Sequence, residues 1–325
     1  MTNRQAYAVM AAMILPSALS TGCATNCVRG PEGTTCTAKS LKRFDGTPPP
    51  PQVVDYVPGS PIVIAVQYGS VLVSRSTSSK VEVEFRPFCY AGYDDQAGAY
   101  QQLGQNLETR VDTSAGVAVH VARHGGTNGL GANVNVRLPD SFNGSLAITN
   151  AGDGPLNEFD VRVEYVAQAT ALDIRNRSSL GNCWAAGTSA IQSTGVSCGG
   201  YISVFDVSDK LEIINTGGYH RGDDTPAITL RLAKVSPTSP GGTITTASGS
   251  IAATFPRAGG FSVAATSPNG TVQVGPLPPI CQVQTASPAS KTVACGAGPI
   301  YHATAGNSSK RGPNGKASDV VLDFQ

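Results

Sequence analysis

Two pairs of adjacent acids stand out as chemistry-bearing residues. They are Asp94-Asp95 and Asp223-Asp224, the second with Arg221 beside it. Converging carboxylates hold Ca²⁺ when several oxygens meet or share a proton between them. Acids with Arg and Lys on one face of a β-helix are also the groups that polysaccharide lyases use. Both pairs, however, lie in Gly-rich, turn-like surroundings, where Asp is favoured for hydrogen bonding to its own backbone. Arg221-Gly222-Asp223 reads as a turn for the same reason. Gly187-Thr188-Ser189-Ala190-Ile191 lacks the second Gly of a nucleophile elbow, and no helix follows it. Neither Gly125-Gly126-Thr127-Asn128-Gly129 nor Gly217-Gly218 precedes a helix, as a phosphate cradle requires. No CxxC is present, and His120, His124, His220 and His302 are not at zinc-ligand spacing from any cysteine pair. No catalytic, metal-binding or cofactor-binding residue is therefore assigned. The chain reads as non-enzymatic, with a carbohydrate-active β-helix enzyme of lyase or hydrolase type as the alternative.

The cysteines carry a second kind of chemistry. Residues 1–22 have the form of a signal peptide: Arg4 with no acid in the first five residues, then an apolar run from Ala6 to Leu19. That run is shorter than the roughly 20 residues a membrane span needs. Ser20-Thr21-Gly22-Cys23 resembles the lipobox of bacterial lipoproteins. Thr21 and Gly22 match its small residues, while Ser20 departs from its usual aliphatic residue. The resemblance implies that Cys23 becomes an acylated (palmitate-bearing) N-terminus on a lipid bilayer. With Ala24 following, it implies the outer membrane of the cell envelope. Acyl chains contribute about 0.8 kcal/mol per buried methylene, so several chains on one Cys give stable attachment.

An exported chain meets an oxidising compartment, and the sequence has eight cysteines. Neighbours in sequence suggest the disulfides Cys27–Cys36, Cys183–Cys198 and Cys281–Cys295. The last two close loops of about 15 residues, worth about 3 kcal/mol each in the chain-entropy model. Cys89 is left as a lone thiol or pairs with some other cysteine. Trp184, inside the Cys183–Cys198 loop, reads as packing under that loop rather than as a sugar-stacking ring.

The elements that position these residues are strands. Charged residues make up 14 % of the chain, against about 25 % in ordinary globular domains. Gly (37) and Pro (22) are abundant without a Gly-X-Y period. The net charge of +1 comes with no basic stripe, so no nucleic-acid partner is expected. Residues 23–60 read as the acylated Cys followed by a linker, with Thr47 to Pro51 as a polyproline II spacer. Residues 61–325 read as a repetitive all-β domain, with possible halves 61–200 and 201–325.

Short alternating segments recur, such as Val81 to Phe85, Asn133 to Leu138, Val161 to Val166 and Leu172 to Asn176. Cys89 to Leu107 is the one stretch with helical character. In Thr243 to Val274, Ile244, Ile251, Phe255, Phe261, Val263, Val272 and Val274 are spaced to point inward. Strands this thin bury little alone, so each must be covered by its neighbours in a stack. Val136 to Ile148 and Ala253 to Val263 look alike: an apolar residue, Pro, a loop ending in Gly, then alternating apolar residues.

The segments Val66 to Val73, Leu138 to Ile148 and Gly242 to Ile251 together resemble the adhesin-type domains of bacterial surface proteins. That resemblance implies a right-handed β-solenoid or roll-like stack (a pair of β-sandwiches is the alternative) with no catalytic residues. It implies an envelope lipoprotein with a binding or structural role, whose partner is envelope polysaccharide or another surface protein.

Overall fold

The computed structural model describes residues 26–30, 33–37, 41–125, 129–152, 154, 160–166, 169–176, 202–207, 210–215, 226–247, 249–306 and 318–325, the first two ranges as backbone only. Cys23, Cys183, Trp184, Cys198, Arg221, Asp223, Asp224, His220 and the segments 187–191 and 217–218 lie outside the described residues.

Strands β1 (Asn26–Gly30) and β2 (Gly33–Thr37) form an antiparallel hairpin whose register sets Cys27 opposite Cys36. There follow β3 (Leu41–Asp45), β4 (Gln52–Asp55), β5 (Ile62–Val66), β6 (Val71–Ser76), β7 (Lys80–Gly92), the helix α1 (Gln96–Gln105), β8 (Leu107–Asp112), β9 (Val117–Arg123) and β10 (Leu130–Pro139). The central run is β11 (Ser145–Asn150), β12 (Val161–Glu164), β13 (Ala171–Asn176), β14 (Ile202–Val207), β15 (Leu211–Asn215), β16 (Ile228–Leu232), β17 (Gly242–Thr246) and β18 (Ile251–Phe255). The chain closes with β19 (Phe261–Thr266), β20 (Val272–Val274), β21 (Gln282–Ser287), β22 (Ser290–Cys295), β23 (Ile300–Ala305) and β24 (Val320–Phe324).

The fold is all-β, built on two sheets of 11 strands each. From β10 to β20 the chain alternates strictly between them, even-numbered strands in the first sheet and odd-numbered in the second. Each coil of the stack is thus one strand from each sheet, and from β11 to β18 each strand pairs in parallel with the strand two places on. Parallel in-register pairing makes columns of equivalent side chains. In the second sheet one inward column runs Val119, Ile64, Ile148, Ile174, Ile213, Ile244, Ala303. In the first, Val134, Val71, Val161, Ile202, Ile228, Ile251 and Val320 align. All of these residues are buried. The seven residues expected to point inward between Ile244 and Val274 do so, Val274 only partly.

The next inward column of the second sheet is polar. Asn150, Asn176, Asn215 and Thr246 are stacked in register at the ends of β11, β13, β15 and β17, and all are buried. There the chain turns towards the first sheet. Asn150 Nδ2 donates to Gly69 O at 2.7 Å, and its Oδ1 accepts from Gly152 N at 3.1 Å. Asn215 Nδ2 donates to Ala227 O at 3.1 Å. The amides so satisfy turn groups that water cannot reach.

Spatial order departs from sequence order at both ends. The coil β9–β10 lies outside β5–β6, so the step from β10 to β11 passes over that coil. At the other end β19–β20 leaves a slot that the later coil β23–β24 fills, so the step from β18 to β19 passes over it too. These two crossings are the two passages that look alike in sequence. Each presses a glycine against the chain entering the skipped coil. A Cβ on Gly144 would sit 1.9 Å from Ser60 O, and one on Gly260 1.9 Å from Ala297 O.

Two expectations need correction, the helix start and the proline spacer. The helix begins at Gln96, because Cys89 to Gly92 complete β7. Of the two readings left open for Cys89 the paired one holds, since it is disulfide-bonded and buried. Thr47 to Pro51 joins β3 and β4, which both pair with β7, so the proline run spans two strands of the first sheet. The expected disulfide Cys281–Cys295 is present.

Asn150→Ala removes both turn hydrogen bonds at that position, and the urea unfolding midpoint should fall by the equivalent of roughly 1–3 kcal/mol. Gly260→Ala should cost a similar roughly 1–3 kcal/mol by overpacking against backbone that cannot yield. Gly104→Ala, in α1 with nothing within 4 Å of the added methyl, should instead gain up to about 1 kcal/mol from helix propensity.

Candidate functional site

Of the acids proposed for chemistry, Asp94 and Asp95 are described, and Asp95 has a local role. Asp95 is the N-cap of α1, its carboxylate accepting from Gly98 N at 3.2 Å. That is the ordinary use of Asp before a helix. His124 pairs with Glu108 at 3.1 Å, His120 lies on the outward side of β9, and His302 is exposed on β23. Asn143 accepts from Gly59 N and Asn269 donates to Gly306 O, both as turn braces.

A different group converges at the ends of β6, β10 and β12 in the first sheet. In-register pairing sets Arg75 beside Leu138 and Ser76 beside Pro139. Pro139 ends β10 and starts the coil-skipping turn that carries Asp140 and Phe142. Phe142 is buried against the ring of Tyr56, with centroids 5.6 Å apart. Tyr165 follows β12 and is held by its backbone N–H donating to Phe205 O at 3.1 Å.

Arg75, Leu138, Pro139, Asp140, Phe142, Tyr165 and Val166 line a hollow of about 80 Å³. Arg75 and Asp140 form an ion pair across it, both about half exposed. The hydrogen bond and charge of Asp140 raise the Arg75 guanidinium above its ordinary pKa. Tyr165 is 56 % exposed and is the one non-glycine among the described residues with positive φ, at 58°. An L-residue there carries about 1–2 kcal/mol of backbone strain. Such strain persists where surrounding structure over-determines the backbone, and it clusters at sites of function.

The hollow is far below the roughly 300–1,000 Å³ that encloses a small-molecule ligand. What it offers is a rim: an exposed aromatic face, a planar fork of donors and one carboxylate. Glycoside hydrolysis needs two carboxyl groups about 5–9.5 Å apart, and the lining supplies one. Glu164, next to Tyr165, is engaged by Arg162 at 2.5 Å. The arrangement suits recognition of a ring with hydroxyl groups, stacked on Tyr165 and hydrogen-bonded to the pair. Sequence reading did not find this group. The available signal was Pro139-Asp140 in one of the two like passages, but nothing in the sequence brings Arg75 and Tyr165 to it.

No protein-family model matches the chain, and no curated protein matches it. Among solved structures it is similar to a candidate cell adhesion protein from Clostridium sporogenes, at 6 % identity and TM-score 0.40 over 88 % of this chain and 100 % of that one. It is also similar to a candidate adhesin from Bacteroides fragilis, at 10 % identity and TM-score 0.35 over 88 % of this chain and 98 % of that one.

If Tyr165 is retained for recognition rather than packing, Tyr165→Gly relieves the strained φ. Its urea midpoint should equal or exceed that of the parent, by up to about 1 kcal/mol. A loss of stability would assign the ring to the fold instead.

Proposed function

We propose that the chain is a non-catalytic protein of the cell envelope, held at a membrane by acyl chains on Cys23, whose β stack binds envelope polysaccharide. The observation that carries the binding part is the rim of Arg75, Asp140 and Tyr165, with its strained, exposed aromatic residue. The stack supports the reading as a rigid carrier: one apolar cluster runs along its interior beside the buried amide column, and the rim sits on three strands locked in register. Recognition uses the outer surface, as a long polymer requires, since no enclosing pocket is needed to grip a chain along its side.

The anchor rests on the leader-like N-terminus and on Ser20-Thr21-Gly22-Cys23. It also constrains the thiols. With Cys23 acylated, seven of the eight cysteines remain. An odd number leaves one thiol free or bridging to another chain. Cys89, which is disulfide-bonded, must then have a partner other than Cys23.

Cys23→Ser should move the protein from the membrane pellet to the soluble fraction. Persistent pelleting, or a Cys23–Cys89 bridge in a non-reduced peptide map, would overturn the anchor. Binding is checked separately by co-sedimentation with isolated cell-wall sacculi. Wild type should pellet, Tyr165→Gly should bind at least tenfold more weakly, and no soluble sugar should be released. Sugar release would make the protein an enzyme.

A further inference from the structure

A sheet edge is a row of unpaired N–H and C=O groups, and proteins blunt such edges with charge, proline, short length or a bulge. Three edge regions of this stack follow that rule. Strand β3 carries Lys42, Arg43 and Asp45. Strand β8 carries Glu108, Arg110 and Asp112. Strand β20 is three residues long and runs on into Gly275-Pro276.

The edge at β21 is different. Its six residues, Gln282 to Ser287, are all exposed, and none is charged or proline. The nearest charge on either side along the chain is Arg257 before it and Lys291 after it. Inside the strand its one protective device is a register irregularity between Val283 and Thr285, and prolines stand only outside it, at Pro278-Pro279 and Pro288. Ile280 and Val283, both exposed, add apolar surface beside it. The strand is also fixed in place: it pairs with β22, β22 pairs with β19, and the Cys281–Cys295 disulfide closes the hairpin at its base. Little ordering is left to oppose a partner strand.

We propose that β21 is a self-assembly edge, on which β21 of a second copy of this chain adds antiparallel about a two-fold axis. The argument for a second copy is charge. Like charges set opposite each other across a strand pair destabilise it, and the edge strands β3 and β8 bring charge to any partner. An edge made only of Gln, Val, Thr, Ala and Ser meets its own copy with no such conflict. A two-fold contact of identical patches also closes at the dimer rather than growing. The pairing joins the second sheets of two copies edge to edge, at the end of that sheet opposite β8.

Sedimentation velocity of the full chain in detergent, from about 1 to 200 µM, tests this. A concentration-dependent dimer is expected, with amide exchange in 282–287 slowing as it forms. Val283→Lys with Thr285→Lys should weaken the dimer at least tenfold while the Cys281–Cys295 bridge and the unfolding midpoint are kept. Thr243→Lys, on the outward side of β17, should leave it unchanged. A monomer across the whole range would overturn the proposal. So would a dimer that the double lysine variant does not weaken, or one whose exchange protection lies elsewhere.

Discussion

The buried amides of Asn150, Asn176 and Asn215 fix where every central coil must sit. Parallel stacking alone leaves register poorly specified, because rows of Val and Ile look alike after a shift of two residues. A slip by one turns every inward residue out. A slip by two keeps the apolar rows inside but takes the amides from the carbonyls of Gly69 and Ala227 that they satisfy. An unsatisfied buried polar group costs about 1–3 kcal/mol, and the cost arises at both Asn150 and Asn215. The column therefore acts on register as a buried Asn does in a coiled coil: it contributes less burial than Ile would and excludes the neighbouring alignments.

The same constraint explains how the ends can depart from sequence order. A coil enters a slot only if its columns match those on both sides. The coil β5–β6 offers Ile64 and Val66 to the columns of Ile148 and Asn150, and β23–β24 offers Ala303 and Ala305 to those of Ile244 and Thr246. Small or apolar residues replace the amide where the polar column ends. Because β23–β24 follows β19–β20 in the chain yet lies between it and β17–β18, that end of both sheets is complete only when this later coil is in place. Phe255, Phe261, Tyr301 and Phe324 meet there in a ring cluster with centroids 5.4–6.4 Å apart, drawing on four different strands. Such non-local packing makes the end cooperative and slow to form.

Much of this was legible from residue patterns. The thin strands, the inward set from Ile244 to Val272 and the likeness of Val136–Ile148 to Ala253–Val263 all follow from period-2 alternation and turn residues. The amide column was legible too, but not by period. Leu146-x-Ile148-x-Asn150, Leu172-x-Ile174-x-Asn176 and Leu211-x-Ile213-x-Asn215 are one motif, yet intervening loops of unequal length hide it from a search for a fixed repeat. The first strands were missed because β3 and β4 are short and polar, and owe their state to pairing with β7 rather than to their own propensity. The rim at Arg75 and Tyr165 was illegible for a related reason: it is assembled by register across three strands, and register is a property of the stack.

Scaffold and rim are linked through Tyr165. A residue at φ 58° relaxes unless its neighbours forbid it. Here the preceding residue is fixed by parallel pairing of Glu164 with Phe205, and the following turn by Ala169 N–H donating to Val166 O at 3.0 Å. Val166 itself is buried in the core. The strand end, the turn and the core thus leave the backbone one path, and the ring is turned out to solvent at its sharpest point. A loop on a softer base would lose the strain and the orientation together. The in-register columns that make the interior repetitive are therefore also what allows one exposed aromatic side chain to be held at a defined place on the surface.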